Sequence, residues 1–193
     1  MRRYDGVIFD MDGTIIEPLL DFTAIRAEMG VPERADILTW VESLPRTDRA
    51  TAHETLLSHE LPAARNAALM PGAAEALRAI RTAGLKTALL TRNAAEAMEI
   101  VLERFPELEF DLAWSRENGP LKPEPDGVIR ACQRLDIEPA RAVCVGDFHY
   151  DILAAKSAGA SAVLLVHGPR PPFADEADYV ITDLAQLPAL LGV

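Results

Sequence analysis

Six short apolar runs recur along the chain and constrain its fold more than any other feature. They read GVIFD (6–10), LKTALLT (85–91), FDLAW (110–114), AVCVGD (142–147), SAVLLV (161–166) and YVIT (179–182). Continuous Val, Ile, Leu and Ala, rather than strict alternation with polar residues, predicts strands buried on both faces, as in a parallel sheet. Helical patterns separate them. PGAAEALRAIRTAG (71–84) opens on Pro-Gly and stops at Gly84, a glycine helix terminus. In NAAEAMEIVLERF (93–105), Asn93 stands as an N-cap with Glu96 three residues on, and Ala97, Met98, Val101 and Phe105 mark one face. EPDGVIRACQRLD (124–136) and YDILAAKSAG (150–159) complete the alternation. Strand then helix, repeated in this way, predicts an α/β fold built on a doubly wound, Rossmann-like parallel sheet.

One stretch breaks the rhythm. Residues 16–70 carry no strand pattern, and they are far too many for an ordinary strand-to-helix connection. DFTAIRAEMG, ADILTWVESL and a run from Asp48 to Leu69 are helical in composition, and Pro18, Pro32, Pro45 and Pro62 punctuate them. The expected organisation is a core of residues 1–15 and 71–193 with a small α-helical cap, residues 16–70, inserted after the first strand. HGPRPPFADEADY (167–179) reads as a surface loop before the last strand.

Composition narrows the partners. A formal net charge of −11 argues against nucleic acid and anionic membrane, which need a basic surface. No apolar run approaches the roughly 20 residues that span a bilayer. The start, MRRYDGVIFD, has only a strand-length apolar run after its arginines, so no signal peptide is expected. Cys132 and Cys144 both lie in apolar patterns without zinc-type spacing, which fits a reduced, buried pair in a cytoplasmic protein. Nothing in the chain decides between a monomer and a homodimer.

In open α/β sheets, ligands bind at the carboxyl ends of the strands, so the residues found there are the informative ones. The first strand delivers Asp10, with Asp12 just beyond it. The second ends in Thr91-Arg92-Asn93, and the loop after FDLAW carries Lys122-Pro123. The run AVCVGD ends at Asp147, with Asp151 four residues later. A carboxylate at Asp10 can attack phosphorus and form an aspartyl-phosphate, splitting one hard step into two easier ones. Asp12, two positions on, points the same way and can act as general acid and then as general base for water. Gly13 permits the sharp exit from the strand, and Thr14 is expected to tie that turn by hydrogen bonding. Carboxylates this close repel by about 4 kcal/mol per pair at 4 Å and an effective dielectric near 20. Cations must offset that repulsion, and hard oxygen ligands suit Mg²⁺. Lys122 supplies a further positive charge, Thr91 a hydroxyl donor, and the amides after Thr91 a helix start that can receive phosphate oxygens.

These residues, in this order, resemble the haloacid dehalogenase superfamily and in particular its phosphatases with a small helical cap. DMDGT (10–14) is similar to the first motif, Thr91 to the second, Lys122 in LKPEPDG to the third and GDFHYD (146–151) to the fourth. The resemblance covers nearly the whole chain. It implies Asp10 as nucleophile, Asp12 as acid and base, and Thr91 and Lys122 as ligands of the transferring phosphoryl group. It also implies Mg²⁺ held by Asp10, the Asp12 backbone carbonyl and Asp147, with Asp151 in support. Two positions depart from the common pattern. Phe148 stands where many relatives have a hydroxyl, and Arg92 where asparagine is frequent; Arg92 either adds charge at the phosphate or points to solvent.

The expected function is therefore a Mg²⁺-dependent phosphomonoester hydrolase acting on a small phosphorylated metabolite. A phosphomutase of the same superfamily, or a catalytically silent phosphate-binding module, are the alternatives. A dehalogenase is disfavoured because a carbon–halogen substrate needs no acid for its leaving group, and Asp12 is present. His149 lies inside the fourth motif and is a candidate to line the site; His53, His59 and His167 read as surface residues. In the cap, Arg26, Trp40, Arg46 and Arg49 either contact substrate or serve the cap's own packing.

Overall fold

The computed structural model describes residues 3–193. Six strands form one sheet: β1 (Gly6–Phe9), β2 (Lys86–Leu90), β3 (Leu112–Trp114), β4 (Ala142–Gly146), β5 (Ser161–Leu165) and β6 (Tyr179–Ile181). Their order is β3-β2-β1-β4-β5-β6, and every pairing is parallel. Each apolar run of the sequence thus supplies one strand.

The strands are buried on both faces because helices cover both. Val7, Phe9, Leu89, Val143 and Val145 pack with α4 (Ala73–Thr82), α5 (Ala95–Arg104) and α8 (Leu187–Leu191). Ile8, Ala88, Leu90, Cys144 and Leu164 point the other way, against α6 (Asp126–Leu135) and α7 (His149–Ala158). Alternate residues of one strand therefore belong to opposite layers, which is why the apolar runs do not alternate with polar residues. Cys132 and Cys144 are free and buried, and burial pushes the Cys132 thiol up to about 11. Between residues 167 and 179 the chain is mostly exposed, but Ala174 is 1% exposed and belongs to the second layer.

The chain reverses its direction of travel across the sheet between β1 and β4, so a crevice opens beyond their carboxyl ends. Asp10 and Asp147 immediately follow those two strands.

Residues 16–70 form α1 (Phe22–Met29), α2 (Ile37–Ser43) and α3 (Arg46–Asn66). Ile25, Val31, Ile37, Val41, Ala52 and Leu56 make a small apolar cluster of their own. The two connections to the core lie side by side: Ile16 bridges Leu69, Glu17 N–H donates to Ala68 O (2.9 Å) and Met70 N–H to Ile15 O (2.9 Å). The far end of α3 belongs elsewhere. Ala64 and Ala67 join the apolar layer that covers the sheet, alongside Val101 of α5.

Candidate active site

The turn after β1 is closed by backbone. Asp10 N–H donates to Val145 O (2.9 Å), extending the ladder by one residue, and Met11 O then accepts the N–H groups of Ile15 (2.8 Å) and Ile16 (3.0 Å). Gly13 adopts φ +74°, and a Cβ there would lie 2.1 Å from Asp147 Oδ2. A Cβ at Gly146 would lie 2.1 Å from Asp151 Cγ. These two glycines make room for two carboxylates, a close-approach role rather than a flexible one. Thr14 does not tie the turn as expected. It is fully buried, and its Oγ1 has no hydrogen-bond partner among the described residues; carbonyls of the turn itself receive the N–H groups that a side chain was expected to hold.

Lys122, on the loop before α6, reaches into the crevice. Its Nζ donates to Asp10 Oδ1 and to Asp151 Oδ1 (2.7 Å). Asp151 also accepts the Phe148 N–H (3.1 Å), which fixes the start of α7. Carboxylate oxygens of Asp10, Asp147 and Asp151 lie within 4.8 Å of one another. Burial pushes Asp10 up to about 6, against the pull of Lys122 and with added repulsion from Asp151. Asp147 rises to about 8, again by burial first and then by the charges of Asp10 and Asp151. Lys122 is held above its ordinary value: burial opposes its charge, but Asp10 and Asp151 outweigh it.

Thr91 and Asp12 meet through Asn93. Thr91 Oγ1 accepts the Asn93 N–H (3.1 Å), leaving its own hydrogen to donate elsewhere. Asn93 Nδ2 donates to Asp12 Oδ2 (2.7 Å). Asp12 is pushed up to about 7 by burial, then by the charges of Asp10 and Glu60. The expected capping of α5 by Asn93 and Glu96 is therefore corrected. Asn93 spends its side chain on Asp12, and the open amides at the helix start are met from a distance: Ala94 N–H donates to Glu60 Oε2 (3.1 Å) and Ala95 N–H to Glu117 Oε2 (3.0 Å).

Arg92 is engaged by the helical insertion. Its Nη2 donates to both carboxylate oxygens of Asp36 (2.8 and 2.7 Å), and its guanidinium lies 4.9 Å over the Tyr150 ring. Asp36 caps α2 through Thr39 N–H (2.9 Å). Burial works to raise its carboxyl, but the bonds from Arg92 and Thr39 hold it below the usual range. A second tie lies deeper. Glu60 of α3 pairs with Arg116, and their side chains are 5% and 7% exposed.

Asp36, Asn93, Glu60 and Arg116 were not singled out by sequence reasoning as site residues. Glu60 carried a signal: Ala52, Leu56, Glu60 and Ala64 recur every four residues as the buried stripe of α3, and a carboxylate on such a stripe needs a partner. Other candidates serve other ends. Arg26 donates to Ala35 O (2.7 Å) and Arg49 to Leu44 O (2.9 Å), both within the insertion, where Trp40 packs against the apolar cluster. His149 lies 2.8 Å from Glu176 and stacks on Phe173, on the loop before β6 rather than among the carboxylates. His167 is exposed, as a surface residue should be, and its Nε2 bonds Gly13 O. The half-exposed Phe148 ring packs edge-on against Tyr150 (5.1 Å) and Phe173 (5.9 Å), so it offers the crevice a backbone amide but no hydroxyl.

The donor set fits a hard divalent cation. Asp10, Asp147 and Asp151 supply only oxygen, they are packed against mutual repulsion, and Lys122 is the one cation in direct contact with them among the described residues.

Residues 4–159 match the haloacid dehalogenase-like hydrolase family. A haloacid dehalogenase-like hydrolase domain-containing protein of Arabidopsis thaliana is 37% identical over 175 residues, covering 84% of this chain and 71% of its own. The phosphoglycolate phosphatase of Cupriavidus necator is 28% identical over 214 residues, 96% of this chain and 92% of its own. The crystal structure of a haloacid dehalogenase-family hydrolase from Deinococcus radiodurans, with bound phosphate and sodium, superposes with a TM-score of 0.73 at 25% identity. That match covers 100% of this chain and 96% of the other. The chain belongs to the haloacid dehalogenase-like hydrolases.

Proposed function

We propose that this hydrolase is a Mg²⁺-dependent phosphatase that removes the phosphoryl group from a small phosphorylated metabolite. The observation that carries the reading is the meeting of Asp10, Asp147 and Asp151 with Lys122 at the end of β1, with Asp12 two residues beyond. The phosphate bound in the Deinococcus structure and the name of the Cupriavidus relative support it.

Asp10 is the nucleophile. Lys122 favours its ionised form and, with the Thr91 hydroxyl, binds the oxygens of the phosphoryl group. Attack by an Asp10 oxygen forms the acyl-phosphate bond as the bond from phosphorus to the leaving oxygen breaks. Asp12 passes its proton to that oxygen, and the alcohol departs. The Asp12 carboxylate then takes a proton from water, whose oxygen attacks phosphorus and releases phosphate and the Asp10 carboxylate. Mg²⁺ would be held by Asp10, the Asp12 carbonyl and Asp147, with Asp151 in support, and would neutralise the phosphate charge.

The division into a core of 1–15 and 71–193 and a cap of 16–70 is part of the same proposal, the cap excluding water from the crevice. The tie from Arg92 to Asp36 supports a role for Arg92 at the edge of that cap rather than at the phosphate. Free, buried Cys132 and Cys144 support a reducing, cytoplasmic setting. Among the described residues no helix is long and apolar enough to cross a membrane. Mass spectrometry of protein quenched in acid during turnover tests the covalent step. One phosphoryl group on the peptide that contains Asp10 is expected, and modification elsewhere, or of no peptide, would contradict it.

A further inference from the structure

Asn93 is held through its backbone N–H, its carbonyl and its side-chain nitrogen, and each bond has a consequence for Asp12. Its N–H donates to Thr91 Oγ1 (3.1 Å), and its carbonyl accepts the Arg116 N–H (3.0 Å). Its side-chain Nδ2 donates to Asp12 Oδ2 (2.7 Å), while the side chain as a whole is buried. The next residue, Ala94, is fixed through its own N–H by Glu60, and Glu60 by Arg116. The backbone of Asn93 is therefore pinned on one side by the residue proposed to bind phosphate and on the other by a buried ion pair that reaches in from α3. Its amide has little freedom to turn away.

An amide nitrogen on one carboxyl oxygen decides where the carboxyl proton sits. Oδ2 of Asp12 accepts from Asn93, so the proton is carried on Oδ1, the oxygen left for the leaving group. A carboxyl without that donor turns about its last side-chain bond and offers either oxygen. Nothing else among the described residues donates a side-chain hydrogen bond to Asp12.

We propose that Asn93 is the positioning residue of Asp12, orienting its carboxyl so that the proton faces the leaving oxygen, and that the Glu60–Arg116 pair keeps Asn93 in place from the helical insertion. The proposal rests on the phosphatase reading above, in which Asp12 is the general acid. It goes beyond that reading by assigning the donor that aims the acid and by linking α3 to it.

The dependence of rate on the leaving group separates aiming an acid from merely supporting the fold. Dinitrophenyl phosphate expels an anion stable without a proton, whereas phenyl phosphate needs one. The ratio kcat/KM reports the step in which the leaving group departs, and a comparison of two substrates on one preparation does not depend on how much of the variant is folded. For Asn93→Ala, kcat/KM on phenyl phosphate is expected to fall by about 100-fold, the scale of general acid catalysis, with dinitrophenyl phosphate changed by no more than about threefold. Glu60→Gln, which retains an acceptor for Ala94 N–H, is expected to give a smaller loss of the same pattern. An equal loss on both substrates in Asn93→Ala, or no loss on either, would overturn the positioning role and leave the phosphatase reading intact. Wild-type protein that releases phosphate from neither ester would overturn both.

Discussion

At the scale of single residues, the crevice is defined by how closely carboxylates are allowed to approach. Gly13 and Gly146 set that distance. Alanine at Gly13 would have to be accommodated at φ +74° with its Cβ 2.1 Å from Asp147 Oδ2, and alanine at Gly146 with its Cβ 2.1 Å from Asp151 Cγ. Asp147 and Asp151 are then displaced, and the cation site proposed above with them. Both substitutions are expected to destabilise the fold by about 1–3 kcal/mol, the usual cost of overpacking, and to weaken Mg²⁺ binding at least tenfold as read by isothermal titration. Wild-type metal affinity in Gly146→Ala would contradict this role for the glycine. Glu60 gives a second prediction. Removing one partner of a buried ion pair strands the other charge, so Glu60→Ala should cost about 3–5 kcal/mol in chemical denaturation. Arg116→Ala should cost a similar amount, and the double variant less than the sum of the two. Additive losses would mean that the two side chains do not act as a pair.

At the scale of elements, the six strands and the helices between them were legible in the sequence because burial on two faces leaves short continuous apolar runs, bounded by turn residues and separated by helical patterns. Strand ends could be read as well, since Asp10 and Asp147 stand at breaks in those runs, with Asp12 and Lys122 in the segments that follow. What could not be read were contacts between segments far apart in the chain. Asn93 has the local pattern of a helix cap, yet a carboxyl 81 positions away takes its side chain. Arg92 was an open choice between phosphate and solvent, and its bond to Asp36, 56 positions away, could not be read from either. Thr14 had the right residue type for tying a turn, but the backbone of residues 11–16 closed on itself first. Such outcomes depend on tertiary packing, which overrides local propensity. The same packing constrains any motion of the insertion. If α1 and α2 rock over the core, the Arg92–Asp36 bonds must break on opening, while the buried Glu60–Arg116 pair and the packing of Ala64 hold α3 in place. Spin labels on α2 and α7 should report a longer, broader distance distribution in free protein than with a phosphate analogue, and Asp36→Ala should lengthen it further. Distances unaffected by the analogue would rule out the rocking motion.

At the scale of the whole molecule, the crevice makes stability depend on pH and, under the Mg²⁺ reading proposed above, on metal as well. Burial and mutual repulsion raise the Asp10, Asp12 and Asp147 carboxyls to about 6, 7 and 8 when no cation is bound. The folded protein then holds protons that the unfolded chain has already released, so the stability these groups contribute is greatest below about pH 4 and is lost as pH rises toward 8. Asp36, held low by Arg92 and Thr39, acts in the opposite sense, but only in acid, where its own carboxyl takes up a proton. Metal-free protein should therefore melt at a lower temperature at pH 8 than at pH 5, and Mg²⁺ should raise the melting temperature far more at pH 8, because it binds the ionised carboxylates. A Mg²⁺ shift of equal size at both pH values would contradict this linkage. The negative charge of the whole chain, −11, adds to the same trend. All of it converges on Asp10, which the fold places at the sheet's switch point and pairs with Lys122. The most direct measurement is phosphate release from an aryl phosphate by wild type and by Asp10→Asn, each with Mg²⁺ and with a chelator. The proposed mechanism predicts release by wild type with Mg²⁺ alone, and a loss of at least about a thousandfold in the variant. Release that persists in Asp10→Asn, or that ignores the chelator, would contradict it.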